Sequence, residues 1–148
     1  MTDENNIWKS LAGKETAQLM RLSERKESLF LQKKKLISRI ADIDQYIFDY
    51  TSRLRDESDF EYGVQKINGI MKMITQLMSA KRDLEVFDLQ CGEALRIVTN
   101  KIVGHQVELL KYNKVRERHQ KQTFLNEKMR DDKELDAIAL HNFIADMK

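Results

Sequence analysis

The chain has 148 residues, of which 34% are charged and 7% are aromatic, and it contains no proline. Proline costs about 3 kcal/mol inside a helix, so its absence over this length predicts nearly continuous helix. The 26 basic and 24 acidic residues leave a formal net charge of +2, which argues against a nucleic-acid partner, because nucleic acid draws a basic stripe. This composition disfavours a multilayer globular core and is typical of long helices and coiled coils.

The expected cellular location follows from what the sequence lacks. No apolar run approaches the roughly 20 residues that span a bilayer. The first six residues, MTDENN, are acidic and polar and do not resemble a signal peptide. With Cys91 as the single cysteine, no intramolecular disulfide can form. These features predict a cytoplasmic protein.

Heptad spacing predicts a first helix over about residues 5–55. Apolar residues alternate at separations of three and four positions, which defines the seam of a coiled coil. One series is Leu19, Lys26, Lys33, Ile40, Ile47 and Leu54, and the other is Leu22, Leu29, Leu36, Ile43 and Tyr50. Lys26 and Lys33 interrupt this seam. We expect their aliphatic stems to cover its edge, and a local weakness that a partner uses is the alternative.

A cluster of helix-breaking residues predicts a turn over about residues 56–63. It consists of Asp56, Glu57, Ser58 and Asp59, followed by Gly63. Ser58 and Glu61 have the spacing of a capping box that would start a second helix. A connection this short requires the two helices to pack antiparallel.

The second helix is expected over about residues 64–143 and carries the same seam pattern. One series is Ile70, Leu77, Leu84, Cys91, Val98, His105, Tyr112 and His119, and the other is Ile74, Lys81, Asp88, Leu95, Ile102, Leu109 and Arg116. The seam becomes polar beyond Tyr112. We therefore predict an all-α fold, a long antiparallel two-helix coiled-coil hairpin that forms one domain over residues 1–148.

No constellation of residues predicts catalysis. A zinc site needs about four converging ligands, whereas His105, His119 and His141 are widely separated along the chain. No glycine-rich phosphate loop is present. The acidic residues near position 133 alternate with Arg130 and Lys133, which indicates ion pairs along one helix. We expect a non-enzymatic protein with no cofactor and no metal.

One stripe early in the second helix is a candidate binding surface. Met73, Leu77, Ala80 and Leu84 follow one another at positions i, i+4, i+7 and i+11. Methionine adapts to irregular surfaces and recurs at promiscuous binding faces. Simple core filling is the favoured interpretation, and a surface for a second partner is the alternative.

Four segments of the chain stand out by their order and spacing. They are Lys9–Glu15 (KSLAGKE), Tyr46–Leu54 (YIFDYTSRL), Leu109–Arg118 (LLKYNKVRER) and Asn126–Asp136 (NEKMRDDKELD). The most specific parts are the paired tyrosines of the second segment and the Arg-x-x-Lys-x-x-Asp pattern of the fourth. Together the segments resemble the FliJ family of flagellar export proteins and their type III secretion relatives over nearly the whole chain.

The resemblance implies a fold similar to the γ stalk of rotary ATPases and a set of partners. The chain would be the central stalk of the hexameric export ATPase, promote assembly of its ring, bind the cytoplasmic domain of the export gate and escort export chaperones. It would act at the cytoplasmic face of the inner membrane, peripheral to it. The implied ATPase-binding residues are Arg116, Arg118, Arg130, Lys133 and Asp136, and the implied gate-binding residues are Met73, Leu77, Ala80 and Leu84.

Two other classes of function stay open at this point. A generic coiled-coil adaptor that self-associates would keep an apolar seam to its end, and a prefoldin-like chaperone arm would expose apolar residues at its tips. The charged segment over residues 114–136 favours the stalk.

Overall fold

The computed structural model describes residues 2–57 and 63–147 and contains two helices in these ranges. Helix α1 spans Thr2–Glu57 and helix α2 spans Val64–Asp146. The two helices pack against each other antiparallel, as the pairing of Trp8 with Tyr112 and of Lys33 with Asp88 shows. The predicted all-α hairpin is therefore confirmed.

Both helices extend further than the sequence predicted. Helix α1 begins three residues before the expected position 5, and it keeps Asp56 and Glu57, which were assigned to the turn. Helix α2 continues three residues beyond the expected position 143. At its start, the Gly63 carbonyl accepts hydrogen bonds from the Lys66 N–H (2.9 Å) and the Ile67 N–H (3.4 Å). The capping box at Ser58 and Glu61 lies outside the described residues.

The contacts within the hairpin divide it into two units, which are described separately. The mid-chain unit comprises Arg21–Ile102, and the chain-end unit comprises Met1–Met20 with Val103–Lys148. Each unit contains part of both helices. The prediction of a single domain over residues 1–148 stays a prediction.

The core of the mid-chain unit is a narrow apolar seam. Leu29, Leu36, Cys91 and Val98 are its buried residues, and the Cys91 thiol donates a hydrogen bond to the Leu29 carbonyl oxygen at 3.2 Å. Five partly buried residues pack against this cluster: Leu22, Leu84, Ala94, Leu95 and Ile102. Every one of these residues except Ala94 belongs to the predicted seam, so the predicted heptad register is confirmed here. Most of the covered side chains lie on the seam, as expected for two helices alone.

In the chain-end unit, the α1 side of the seam extends further than the sequence prediction, whereas the α2 side, which includes Tyr112, was predicted. The α1 side of this seam starts upstream of Leu19, with the Trp8 and Tyr112 rings 5.9 Å apart between centroids and tilted by 36°. Ala12 is buried in it, 5% exposed. Trp8, Ala12, Glu15 and Leu19 continue the separations of four and three residues, so the pattern was present in the sequence. The pattern was not recognised because Glu15 interrupts it, and a carboxylate is not expected at a seam position.

Neither described helix has a stretch that is both long and apolar enough to cross a membrane. Within the described ranges, no three histidine, cysteine or acidic residues converge as metal ligands would.

Candidate partner-binding surfaces

The polar interruptions of the mid-chain seam pair across the two helices. Lys33 Nζ donates a hydrogen bond to Asp88 Oδ1 at 2.9 Å, and it lies 3.4 Å from the backbone oxygen of the same residue. Lys81 Nζ lies 2.7 Å from Asp44 Oδ1, and this hydrogen bond is the main reason that the pKa of Lys81 is raised. Lys33 therefore bonds across the seam in addition to covering its edge, while Lys26 is exposed. These pairs favour one register of the two helices over others.

A third polar pair lies in the chain-end unit. His105 Nδ1 contacts Glu15 Oε2, and both side chains are partly covered. His105 is one of the polar interruptions that the sequence placed in the second seam. Its partner, Glu15, lies in the extended seam that sequence reasoning missed.

The candidate gate-binding stripe lies along one flank of the seam in the mid-chain unit. Leu77 and Leu84 are half-buried, whereas Met73 and Ala80 are exposed. The stripe therefore contains two residues that pack within the hairpin and two that are free to contact another molecule. Neighbouring Met71 and Met78 are also exposed, and they lie on the opposite flank of α2. The expectation of simple core filling applies to the two leucines but not to these methionines.

The five candidate ATPase-binding residues do not form one surface. Arg116 is half-buried at a seam position of the chain-end unit, and its Nε atom is buried without a hydrogen-bond partner among the described residues. The other four side chains are exposed: Arg118, Arg130, Lys133 and Asp136. Arg130 and Lys133 continue the seam line of α2, whereas Asp136 lies on its flank. Arg116 thus differs from the rest in being partly enclosed by the hairpin.

The C-terminal part of α2 runs beyond α1. Trp8 faces Tyr112, and α1 begins six residues before Trp8, so its first residue is level with the region of Arg118. Every side chain over residues 124–147 is exposed. We refer to residues 124–147 as the α2 overhang. It contains three of the candidate residues, Arg130, Lys133 and Asp136.

A groove lies where the overhang leaves the hairpin. Its volume is about 470 Å³, and Asn5 from α1 and His119 from α2 lie in its wall. The Asn5 Oδ1 atom is buried with no hydrogen-bond partner within the described ranges. Arg130 also lines this groove, so the structure places one of the candidate residues next to the hairpin end.

No protein-family model, no curated protein and no solved structure matches this chain.

Proposed function

We propose that the chain is the non-enzymatic central stalk of a flagellar or type III protein export ATPase complex. In this role it promotes assembly and activity of the ATPase ring, binds the cytoplasmic domain of the export gate and escorts export chaperones. It acts in the cytoplasm, at the cytoplasmic face of the inner membrane. The four segments that resemble the FliJ family suggest these partners, and the antiparallel hairpin is compatible with a fold similar to the γ stalk of rotary ATPases.

The observation that carries the proposal is the α2 overhang. A stalk needs one helix end that is not occupied by its own hairpin and can enter the lumen of a ring. The overhang provides such an end, because α2 continues to Asp146 while its side chains from position 124 onward are exposed. Arg130 and Lys133 would add charge-assisted contacts to those of this helix end.

The apolar residues of the overhang also favour a binding surface over a solvated helix end. Large exposed apolar side chains that cluster on a surface mark contacts with other molecules. The overhang exposes Phe124, Leu125, Met129, Leu135, Ile138, Leu140, Phe143, Ile144 and Met147. Most helical stability in proteins comes from tertiary packing, so a partner that covers these residues would also stabilise the overhang.

Removal of the overhang tests the proposal. We expect a chain that lacks residues 124–148 to lose co-purification with the export ATPase and stimulation of its hydrolysis. The core cluster around Leu36 and Cys91 lies outside the deleted segment, so the thermal melting of the hairpin should change little. Equal co-purification of the full and shortened chains would contradict the proposed role of the overhang.

A further inference from the structure

Two buried polar atoms at the open end of the hairpin lack a hydrogen bond. They are Oδ1 of Asn5 in α1 and Nε of Arg116 in α2, and the described residues contain no other buried side-chain nitrogen or oxygen atom without a partner. Burial takes such an atom away from water and gives it no hydrogen bond in return. The packing of the two helices is therefore disfavoured at this point.

Both atoms belong to one layer of the seam in the chain-end unit. Trp8 faces Tyr112, with the two rings 5.9 Å apart between centroids. Asn5 lies three residues before Trp8, and Arg116 lies four residues after Tyr112, which are the separations of successive seam positions. In an antiparallel pair these two steps lead in the same direction, so Asn5 and Arg116 form the next layer. Separation of the helices at this layer would return both atoms to water.

The start of α1 has few large apolar side chains at seam positions. Trp8 is one, but the next seam residue, Ala12, contributes only a methyl group to the contact. The layer after Ala12 is polar, because Glu15 contacts His105 there. Segments with few buried apolar contacts are the ones that open locally while the rest of a protein stays folded.

Gly13 gives this weakly held segment a boundary. Glycine is the poorest helix former after proline, and α1 continues through position 13 without interruption. Packing does not require a glycine here, because a Cβ atom at this position would meet no neighbouring side chain or partner helix within 4 Å. Gly13 therefore weakens α1 at one point without improving its contact with α2.

We propose that residues 5–12 of α1 form a latch, which opens as one unit at Gly13 and closes again over α2. Opening uncovers the α2 seam at Leu109, Tyr112 and Arg116, and it lengthens the uncovered end of α2 by about 15 residues, or roughly 22 Å. In the proposed function, Arg116 would contact the ATPase only in this open state. The latch itself concerns the chain alone and does not depend on that function.

Native-state hydrogen exchange, resolved by residue with NMR, tests whether the latch opens as a unit. A detached segment of two turns does not stay helical in water, so opening exposes every amide whose helical hydrogen bond involves the latch, which are those of residues 6–16. We expect one common protection for these amides and an increase of about tenfold or more beyond residue 16. Ordinary fraying of a helix end would instead give protection that rises gradually from residue to residue.

A matched pair of asparagine variants tests the cause of the opening. Asn5→Leu removes the buried oxygen atom from the seam, and Asn6→Leu makes the same substitution at an exposed position. We expect Asn5→Leu to raise the protection of the latch amides about fivefold or more and Asn6→Leu to leave it within about twofold. Adding Arg116→Leu to Asn5→Leu should raise it further, since both buried polar atoms are then removed.

A second matched pair tests the boundary. Gly13→Ala and Gly69→Ala each add a Cβ atom that meets no packing neighbour within 4 Å, so neither substitution strains the structure. Gly13→Ala should raise the protection of the latch amides about threefold or more, because alanine strengthens the helix where the latch opens. Gly69 lies in the mid-chain unit, and Gly69→Ala should leave the latch amides unchanged.

Three results would overturn the inference. The first is a gradual rise of protection along the start of α1 with no step beyond residue 16. The second is that the Asn5 and Asn6 variants behave alike, or that Asn5→Leu lowers the protection of the latch amides. The third is that the Gly13 and Gly69 variants change these amides equally.

Discussion

In the mid-chain seam, an ammonium group and a carboxylate occupy positions where a two-stranded coil normally places apolar side chains. Lys33 and Asp88 can occupy these positions because they form an ion pair with each other at 2.9 Å. Their side chains also remain 31% and 24% exposed. Partial exposure keeps the desolvation cost low, so this pair contributes mainly to register and only modestly to stability.

Charge reversal at this pair tests that interpretation. We expect Lys33→Glu to lower the free energy of unfolding by about 1–2 kcal/mol, because two carboxylates would then face each other across the seam. Combining it with Asp88→Lys should restore most of the loss in a thermal or urea melt. Lys34→Glu serves as the control, since Lys34 is exposed. A combined variant as unstable as the sum of the two single variants would show that the pair does not form.

The apolar residues of the seam are expected to be far less tolerant of charge. Leu36→Asp should destabilise the hairpin by about 3 kcal/mol or more, because it buries a carboxylate without a partner. Leu95→Asp should act in the same direction, since Leu95 packs against the same cluster. Leu31→Asp is the matched control, because Leu31 is 51% exposed. If the Leu36 and Leu31 variants melt at the same temperature, the seam register described here is wrong.

Among the elements, the candidate gate-binding stripe provides a way to separate binding from folding. Met73 and Ala80 are exposed on the flank of α2, whereas Leu77 and Leu84 are half-buried. We expect Met73→Glu together with Ala80→Glu to weaken binding to the export gate about tenfold or more and to leave ATPase binding intact, because charge replaces apolar contact. Pull-down assays with the two partners measure this.

The same stripe has a natural control on the opposite flank of α2. Met71 and Met78 are exposed to a similar degree, and Met71→Glu together with Met78→Glu changes the net charge by the same amount. This control variant should keep gate binding. Equal weakening by both pairs of substitutions would mean that charge, and not the stripe, is responsible.

The C-terminal part of α2, from Arg118 into the overhang, is where charge should contribute to binding. We expect Arg118→Glu together with Lys133→Glu to lower ATPase affinity about tenfold or more, because two exposed cations would no longer meet acidic partners. The affinity of the unsubstituted chain for the ATPase should also fall as the salt concentration is raised, since exposed charges are screened within about 10 Å at 0.1 M.

A control for the overhang uses exposed lysines elsewhere. Lys34→Glu with Lys72→Glu makes the same change in net charge within the mid-chain unit. ATPase stimulation, measured as phosphate release, should be preserved in this variant. Unchanged stimulation by the folded Arg118 and Lys133 variant would contradict a role of these two cations in ATPase binding.

Heptad spacing was sufficient to predict the seam between Leu22 and Ile102, because apolar residues recur there with few interruptions. The same rule missed the contacts of Trp8 and Ala12, since a carboxylate at Glu15 breaks the apolar pattern. It also could not identify the partners of Lys33 and Lys81. Those depend on which residue of the other helix lies opposite, which the turn length and side-chain packing determine together.

The candidate surfaces were predictable only in part. Heptad spacing predicted that Met73 and Ala80 lie beside the seam, and both are exposed in the structure. For Arg116, the sequence showed a charge after the apolar seam had ended. It could not show that Nε is buried, because that depends on how far the start of α1 covers α2.

For the whole molecule, we expect the seam, the flanks and the overhang to have different roles. The seam residues hold α1 and α2 together, the flanks of the mid-chain unit are exposed, and in the proposed function the overhang would contact the ATPase. An adaptor that self-associates would instead form dimers through its exposed apolar residues. Sedimentation of the isolated chain distinguishes these alternatives, since the stalk proposal requires only one copy per ring.

Electron microscopy of the export ATPase mixed with the chain tests the central claim most directly. The proposed stalk predicts that the chain increases the fraction of ATPase in closed hexameric rings and adds one elongated density inside the central channel. The chain without residues 124–148 should do neither. Density on the outer rim of the ring, several copies per hexamer, or rings that form equally well without the chain would contradict the account.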